Sequence, residues 1–125
     1  MNNLDHSEDK IQSDCYLWLF NNHPLIRGLC FHIPNGGYRG AREANKFRAM
    51  GVVAGVPDLF LSIPSEPYHG LYIEMKTPTG TLSHEQKEMH AKLTKAGYLV
   101  IVCRSLEDFQ LAVKTYLRNT VYSIV

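Results

Sequence analysis

The amino-acid sequence predicts an α/β domain, a central mixed β-sheet flanked by helices. Segments with apolar residues at helical spacing alternate with short apolar runs of strand length, in the order helix, strand, helix, two strands, helix, strand, helix. The connections set the sheet type. A polar loop between the two adjacent strands makes them antiparallel, and a helical crossover to the last strand favours a parallel neighbour. With 125 residues and 45% hydrophobic content, residues 1–125 suit a single domain with a real core.

Within residues 7–20, Ile11, Cys15, Trp18 and Leu19 recur at helical spacing, and Asn21-Asn22-His23-Pro24 supplies the stop. Residues 29–33 form a short apolar run ended by Pro34-Asn35-Gly36-Gly37, a strand running into a turn. A second helix is expected over 39–50, closed by Gly51. Residues 58–63 and 71–76 read as two strands of a hairpin across the proline-containing loop 64–70. Ser83 opens a third helix that ends at Gly97. The almost continuous apolar run 98–103 is expected to be a strand buried on both faces. A last helix covers about 106–117, and the apolar tail 121–125 is expected to seek cover. There is no internal repeat, low-complexity segment or linker.

Composition narrows the setting. Cys15, Cys30 and Cys103 are odd in number, far apart and set in apolar surroundings, which excludes a disulfide framework and a zinc spacing and points to a reducing compartment. The first residues lack the basic start and apolar run of a secretory signal, and no stretch approaches ~18 consecutive apolar residues. The expectation is a soluble, cytoplasmic protein with no membrane partner. A net charge of +1 excludes a strongly basic nucleic-acid coat, so the placement of charge matters more than its sum.

Strand alternation puts Leu71, Ile73 and Met75 on one face and Tyr72, Glu74 and Lys76 on the other, and it separates Leu59, Leu61 and Ile63 from Asp58, Phe60 and Ser62. If the chain turns near Glu66 or Pro67, Asp58 stands opposite Lys76 or a diagonal step from Glu74, and the loop is too long to fix the register. Two carboxylates ~4 Å apart repel by roughly 4 kcal/mol at an effective dielectric of about 20. An exposed ion pair returns only ~0–1 kcal/mol. The trio therefore requires a further cation besides Lys76, and a divalent ion that prefers oxygen ligands and keeps several waters suits it. Such an ion polarises a phosphoryl oxygen and makes a bound water more acidic. Lys76 beside that water can orient it, act as its base, or stabilise charge growing on the phosphate. The plain alternative is a solvated sheet face on which an aspartate after proline and an E-x-K occur by chance.

Taken together, Asn35-Gly36-Gly37, Gly51-Val52-Val53-Ala54-Gly55-Val56-Pro57-Asp58-Leu59, Ile73-Glu74-Met75-Lys76 and Gln86 resemble the VRR-Nuc family, the virus-type replication and repair nucleases of the PD-(D/E)xK superfamily. The resemblance spans roughly residues 8–103. It implies a restriction-endonuclease-like fold and an endonuclease that hydrolyses phosphodiester bonds in DNA with magnesium or manganese. On this likeness Asp58 and Glu74 are metal-binding carboxylates, Lys76 is the catalytic lysine, and the Met75 backbone carbonyl is a further ligand. Glu8 matches a first-helix glutamate that can complete the metal site, with Gln12 on the same helix face, and Gln86 joins the catalytic group. Short members of the family resemble dimeric, structure-selective endonucleases, so a homodimer acting on branched DNA such as four-way junctions is implied.

Each of these residues also has a structural reading. Ser83-His84-Glu85-Gln86 fits a capping box, in which Gln86 reaches back to the backbone. Glu8 suits the first turn of any helix. Arg39, Arg42 and Lys46 form a basic stripe on the second helix that can bind phosphates, or simply a solvated face. Asn35-Gly36-Gly37-Tyr38 offers backbone N–H groups and an aromatic ring to a passing DNA strand, or only a tight turn. The six histidines form no defensible metal site by spacing and stay outside the chemistry. Trp18, Phe20, Phe47 and the C-terminal tyrosines read as core or interface. The rival to a nuclease is a DNA-binding or assembly module that keeps the fold without turnover.

Overall fold

Three of the helices start where a serine hydroxyl meets a free backbone amide. Ser7 accepts from the Lys10 N–H, Ser83 from Gln86 and Ser105 from Asp108, each satisfying one of the donors a helix start leaves unpaired. The structure is a computed structural model that describes residues 7–34 and 40–123. Along the chain run α1 (Glu8–Asn22), a 3-10 turn (Pro24–Ile26), β1 (Cys30–His32), α2 (Gly40–Ala49), β2 (Leu59–Leu61), β3 (Leu71–Met75), α3 (His84–Lys95), β4 (Leu99–Cys103) and α4 (Leu106–Leu117). The predicted element order holds. The second helix ends where expected, with Gly51 at φ 98° just beyond it.

The sheet order is β1-β2-β3-β4, antiparallel across the first two pairs and parallel across β3 and β4, which is the mixed sheet expected from the connections. Hydrogen bonds from Ile33 N–H to the Asp58 carbonyl and from Ser62 N–H to the Leu29 carbonyl carry the β1–β2 pairing past the ends of both short strands. Leu59, Leu61, Leu71, Ile73 and Met75 are buried with Cys15 and Leu19 of α1 and Phe109, Val113 and Leu117 of α4. Burying each large side chain contributes about 1.5–3 kcal/mol, so this layer holds α1 and α4 to one face of the sheet. On the other face Phe60, Tyr72 and Tyr98 pack ring against ring, with centroids 4.4 Å and 5.3 Å apart.

Two expectations need correction. β4 lies at the sheet edge, and Leu99 to Val102 are half-buried rather than covered on both faces, because β3 flanks one side of the strand only. In the tail, Tyr122 packs against the core while Val121 is 91% exposed, and Ile124 and Val125 lie outside the described residues.

The β2–β3 hairpin fixes what the loop length left open. Its tip pairs Ser65 with Tyr68, whose N–H and C=O groups bond each other in both directions, while the strands pair Leu61 with Leu71. Residues 62–64 thus stand across from residues 69–70, one extra on the β2 side, where Pro64 has no N–H to pair. A hairpin regular from that tip would face Asp58 with Met75. The extra residue moves the pairing by one, so Asp58, one position beyond the Leu59–Ile73 pair, stands opposite Glu74 rather than opposite Lys76.

Candidate active site

Asp58 is held through its backbone as well as its side chain. Its carbonyl accepts the Ile33 N–H at 2.7 Å and lies 2.8 Å from His32 Nδ1, which ties it to β1. Its Oδ2 accepts the Met75 N–H at 2.7 Å, which aims the carboxylate at β3. Just before it, Gly55 sits at φ 89°, and a Cβ there would strike the Glu85 carbonyl. The Gly55-Val56-Pro57-Asp58 turn therefore presses against the first turn of α3, and only glycine permits that approach.

Glu74, opposite Asp58, is 1% exposed. Burial comes first among the causes that push its carboxyl up to about 9; a hydrogen bond to Asp58 and the charges of Asp58 and Glu8 add to the rise, and Lys76 opposes it. At neutral pH the Glu74 carboxyl therefore keeps its proton. Gln86 donates through Nε2 to Glu74 Oε2 at 3.2 Å, and His90 Nε2 lies 3.0 Å from Glu74 Oε1. Burial and the charge of Lys76 lower the His90 pKa, with Asp58 acting against them, so the ring is neutral at neutral pH.

Lys76, two residues beyond Glu74 on the same face, is 8% exposed, and its Nζ stands 3.9 Å from Glu8 Oε2. Its backbone N–H donates to the Cys103 carbonyl. Arg104 donates to the carbonyls of Thr77 and Gly80 at 2.8 Å and 2.6 Å, fixing the loop that follows Lys76.

Among the described residues no three His, Cys, Asp or Glu side chains stand close enough to hold a metal ion by themselves. Two facing carboxyl groups are nevertheless a donor set that suits magnesium or manganese, since magnesium takes one or two carboxylates and keeps several waters. A glutamate that retains its proton chiefly because it is buried is also one from which a divalent cation can displace that proton.

A model of the VRR-NUC domain matches residues 6–107. The chain belongs to the VRR-NUC domain family. A solved structure of a VRR-NUC domain protein superposes with a TM-score of 0.78 at 29% identity, covering 90% of this chain and 88% of that one. No curated protein shows a significant match. Membership gives this VRR-NUC domain a nuclease-family function, and the expected α/β nuclease fold is the fold it has.

The VRR-NUC domain gathers Asp58, Glu74, Lys76, Gln86 and Glu8 around one end of β2 and β3. Met75 sits among them with its N–H given to Asp58 and its side chain in the core. Gln86 makes the capping box expected of it and also touches Glu74: Oε1 accepts the Ser83 N–H while Nε2 reaches Glu74. Gln12 turns to His32, 2.9 Å away, rather than to the carboxylates. Arg42 and Lys46 are exposed on α2, a helix with no buried residue. Asn35, Gly36, Gly37, Tyr38 and Arg39 lie outside the described residues.

The contact of His90 with Glu74 is one that sequence reasoning missed. The histidines were weighed by their spacing from one another, but the informative spacing runs from Gln86 to His90, one helical turn that puts both on the same face of α3. Once Gln86 faces Glu74, His90 does too. No helix among the described residues is long and apolar enough to cross a membrane. Cys15, Cys30 and Cys103 are free and buried, and burial pushes their thiols up to about 12, which disfavours the thiolate at neutral pH.

Proposed function

We propose that the protein is a magnesium- or manganese-dependent DNA endonuclease that hydrolyses phosphodiester bonds with Asp58, Glu74 and Lys76, and that it acts on branched DNA as a homodimer. The observation that carries this reading is the pairing of Asp58 with Glu74 on one sheet face, buried enough to retain a proton, with the Lys76 ammonium on the same face. Asp58, Glu74 and the Met75 carbonyl would hold the metal, with Glu8 able to complete the set. Bound there, the ion supplies Lewis-acid polarisation of the scissile phosphate and a more acidic water.

The chain's own groups do the rest. Gln86 and His90 fix the orientation of the Glu74 carboxylate, so its oxygens need no reorganisation when the metal and phosphate arrive. Met75 N–H does the same for Asp58. Lys76, pinned by strand pairing and by the Arg104-held loop, directs its N–H donors at the phosphate oxygens where charge develops. Arg42 and Lys46 offer sequence-independent phosphate contacts. A small chain covers little DNA, and the two-fold symmetry of a four-way junction matches a two-fold dimer.

Incubating the purified protein with linear, flapped, forked and four-way-junction DNA tests the reading. Products should form with magnesium or manganese, disappear with chelator, and form more readily from branched than from linear DNA. Asp58→Asn should lower the cleavage rate by at least about a hundredfold without changing the melting curve. Full binding of DNA with no product at any metal concentration would leave a binding module instead. Sedimentation should show a dimer.

A further inference from the structure

Glu8, Gln12, Tyr16 and Phe20 follow one another at four-residue steps, a slowly winding row along α1 that starts beside Lys76 and runs roughly 18 Å from it. Beyond Glu8 this row borders a groove of about 650 Å³ between α1 and the edge of β1 turned away from β2, lined by Gln12, Tyr16, Leu17, Phe20, Phe31 and His32. Apolar side chains of this size are normally covered, yet Tyr16 is 38% exposed, Leu17 58%, Phe20 43% and Phe31 44%. Phe20, read from the sequence as core or interface, is thus not in the core.

Two features say what fits. One is continuity with the carboxylate cluster: Leu59, which follows Asp58, lines the groove floor, and His32 Nδ1 lies 2.8 Å from the Asp58 carbonyl. The other is charge. Among the described residues lining the groove none is acidic, and at its far end the Arg27 guanidinium lies 4.1 Å from the centre of the Phe20 ring, its Nε donating to the Phe20 carbonyl at 2.7 Å. A cation held flat on an aromatic ring complements a polyanion whose bases stack. Tyr16 and Phe20 stand in series, centroids 6.5 Å apart and planes 33° from parallel, so a strand can lay successive bases along them.

We propose that this groove binds unpaired nucleotides of a DNA strand next to the scissile phosphate, with bases against Tyr16 and Phe20 and a backbone phosphate on Arg27. The proposal rests on the nuclease reading and names its substrate feature: a single-stranded segment adjoining the cut. A blunt duplex, whose bases are stacked on one another, leaves the groove empty.

Fluorescence anisotropy with Asp58→Asn protein, which keeps strands intact, tests it with a labelled single strand, a blunt duplex, and a duplex carrying a single-stranded overhang. Phe20→Leu, Tyr16→Leu and Arg27→Ala should each weaken binding of the single strand and the overhang by roughly tenfold and leave the blunt duplex unchanged. Phe20→Tyr should retain affinity, since it keeps the ring, and melting curves establish that each variant folds. Unchanged single-strand binding in both leucine variants overturns the proposal. So does conversion of a dimer to a monomer by those variants in sedimentation, which would give the groove to a second copy of the chain. If instead the wild-type protein cuts no DNA, the nuclease reading fails, while ring-dependent strand binding would still stand on its own.

Discussion

Glu74 has both carboxyl oxygens engaged, one by Gln86 and one by His90, in a place where almost no water reaches it. Metal-free protein should therefore carry this residue protonated across the neutral range. The native state keeps a proton that the unfolded chain releases above the usual glutamate value of 4.5, so this contribution to stability is complete below 4.5 and is lost as pH rises toward about 9. Melting temperatures measured with chelator present should fall across that window, and Glu74→Gln should flatten the fall. Adding manganese near pH 9 should restore the wild-type protein and not the variant. His90 acts on the same carboxylate from outside. His90→Ala should weaken manganese binding about 10- to 100-fold by calorimetry without DNA present, whereas a purely structural role would change the melting temperature and leave the affinity alone.

At the scale of elements, the site depends on how the turn before β2 meets the start of α3. Gly55→Ala forces a side chain into the Glu85 backbone at a positive φ, at a cost of about 1–3 kcal/mol. Chemical denaturation should register that loss, and cleavage should fall with it because Asp58 and Gln86 flank the contact. Helices were legible in the sequence since their signals are local: the serine cap at 83 and apolar residues one turn apart, to which the structure adds serine caps at 7 and 105. Glu74 and Lys76 were legible as neighbours because alternation along one strand gives them a common face, and Asp58 joined them through the motif it shares with the family. What the sequence withheld depends on neighbours distant in the chain. The edge position of β4, the facing of Asp58 with Glu74, and the contact of His90 with Glu74 all arise from which elements end up side by side.

For the molecule as a whole, net charge is close to neutral while its basic residues are placed selectively, with Arg42 and Lys46 exposed on α2 and Arg27 exposed beyond the groove. Each phosphate contact releases bound counterions, so log affinity for DNA should fall linearly with log salt concentration. Replacing Arg42 or Lys46 with alanine should reduce that slope by about 1 each and weaken binding evenly across sequences, which titrations at several salt concentrations would show.

The surplus residue in the β2 arm of the hairpin bears on how relatives are aligned. An arm with one residue to spare can lose it and close the same tip with an even ladder, leaving the aspartate across from the same glutamate. The sequence distance between these two acids is thus an elastic quantity, and a related chain one residue shorter in that interval can still bring them together.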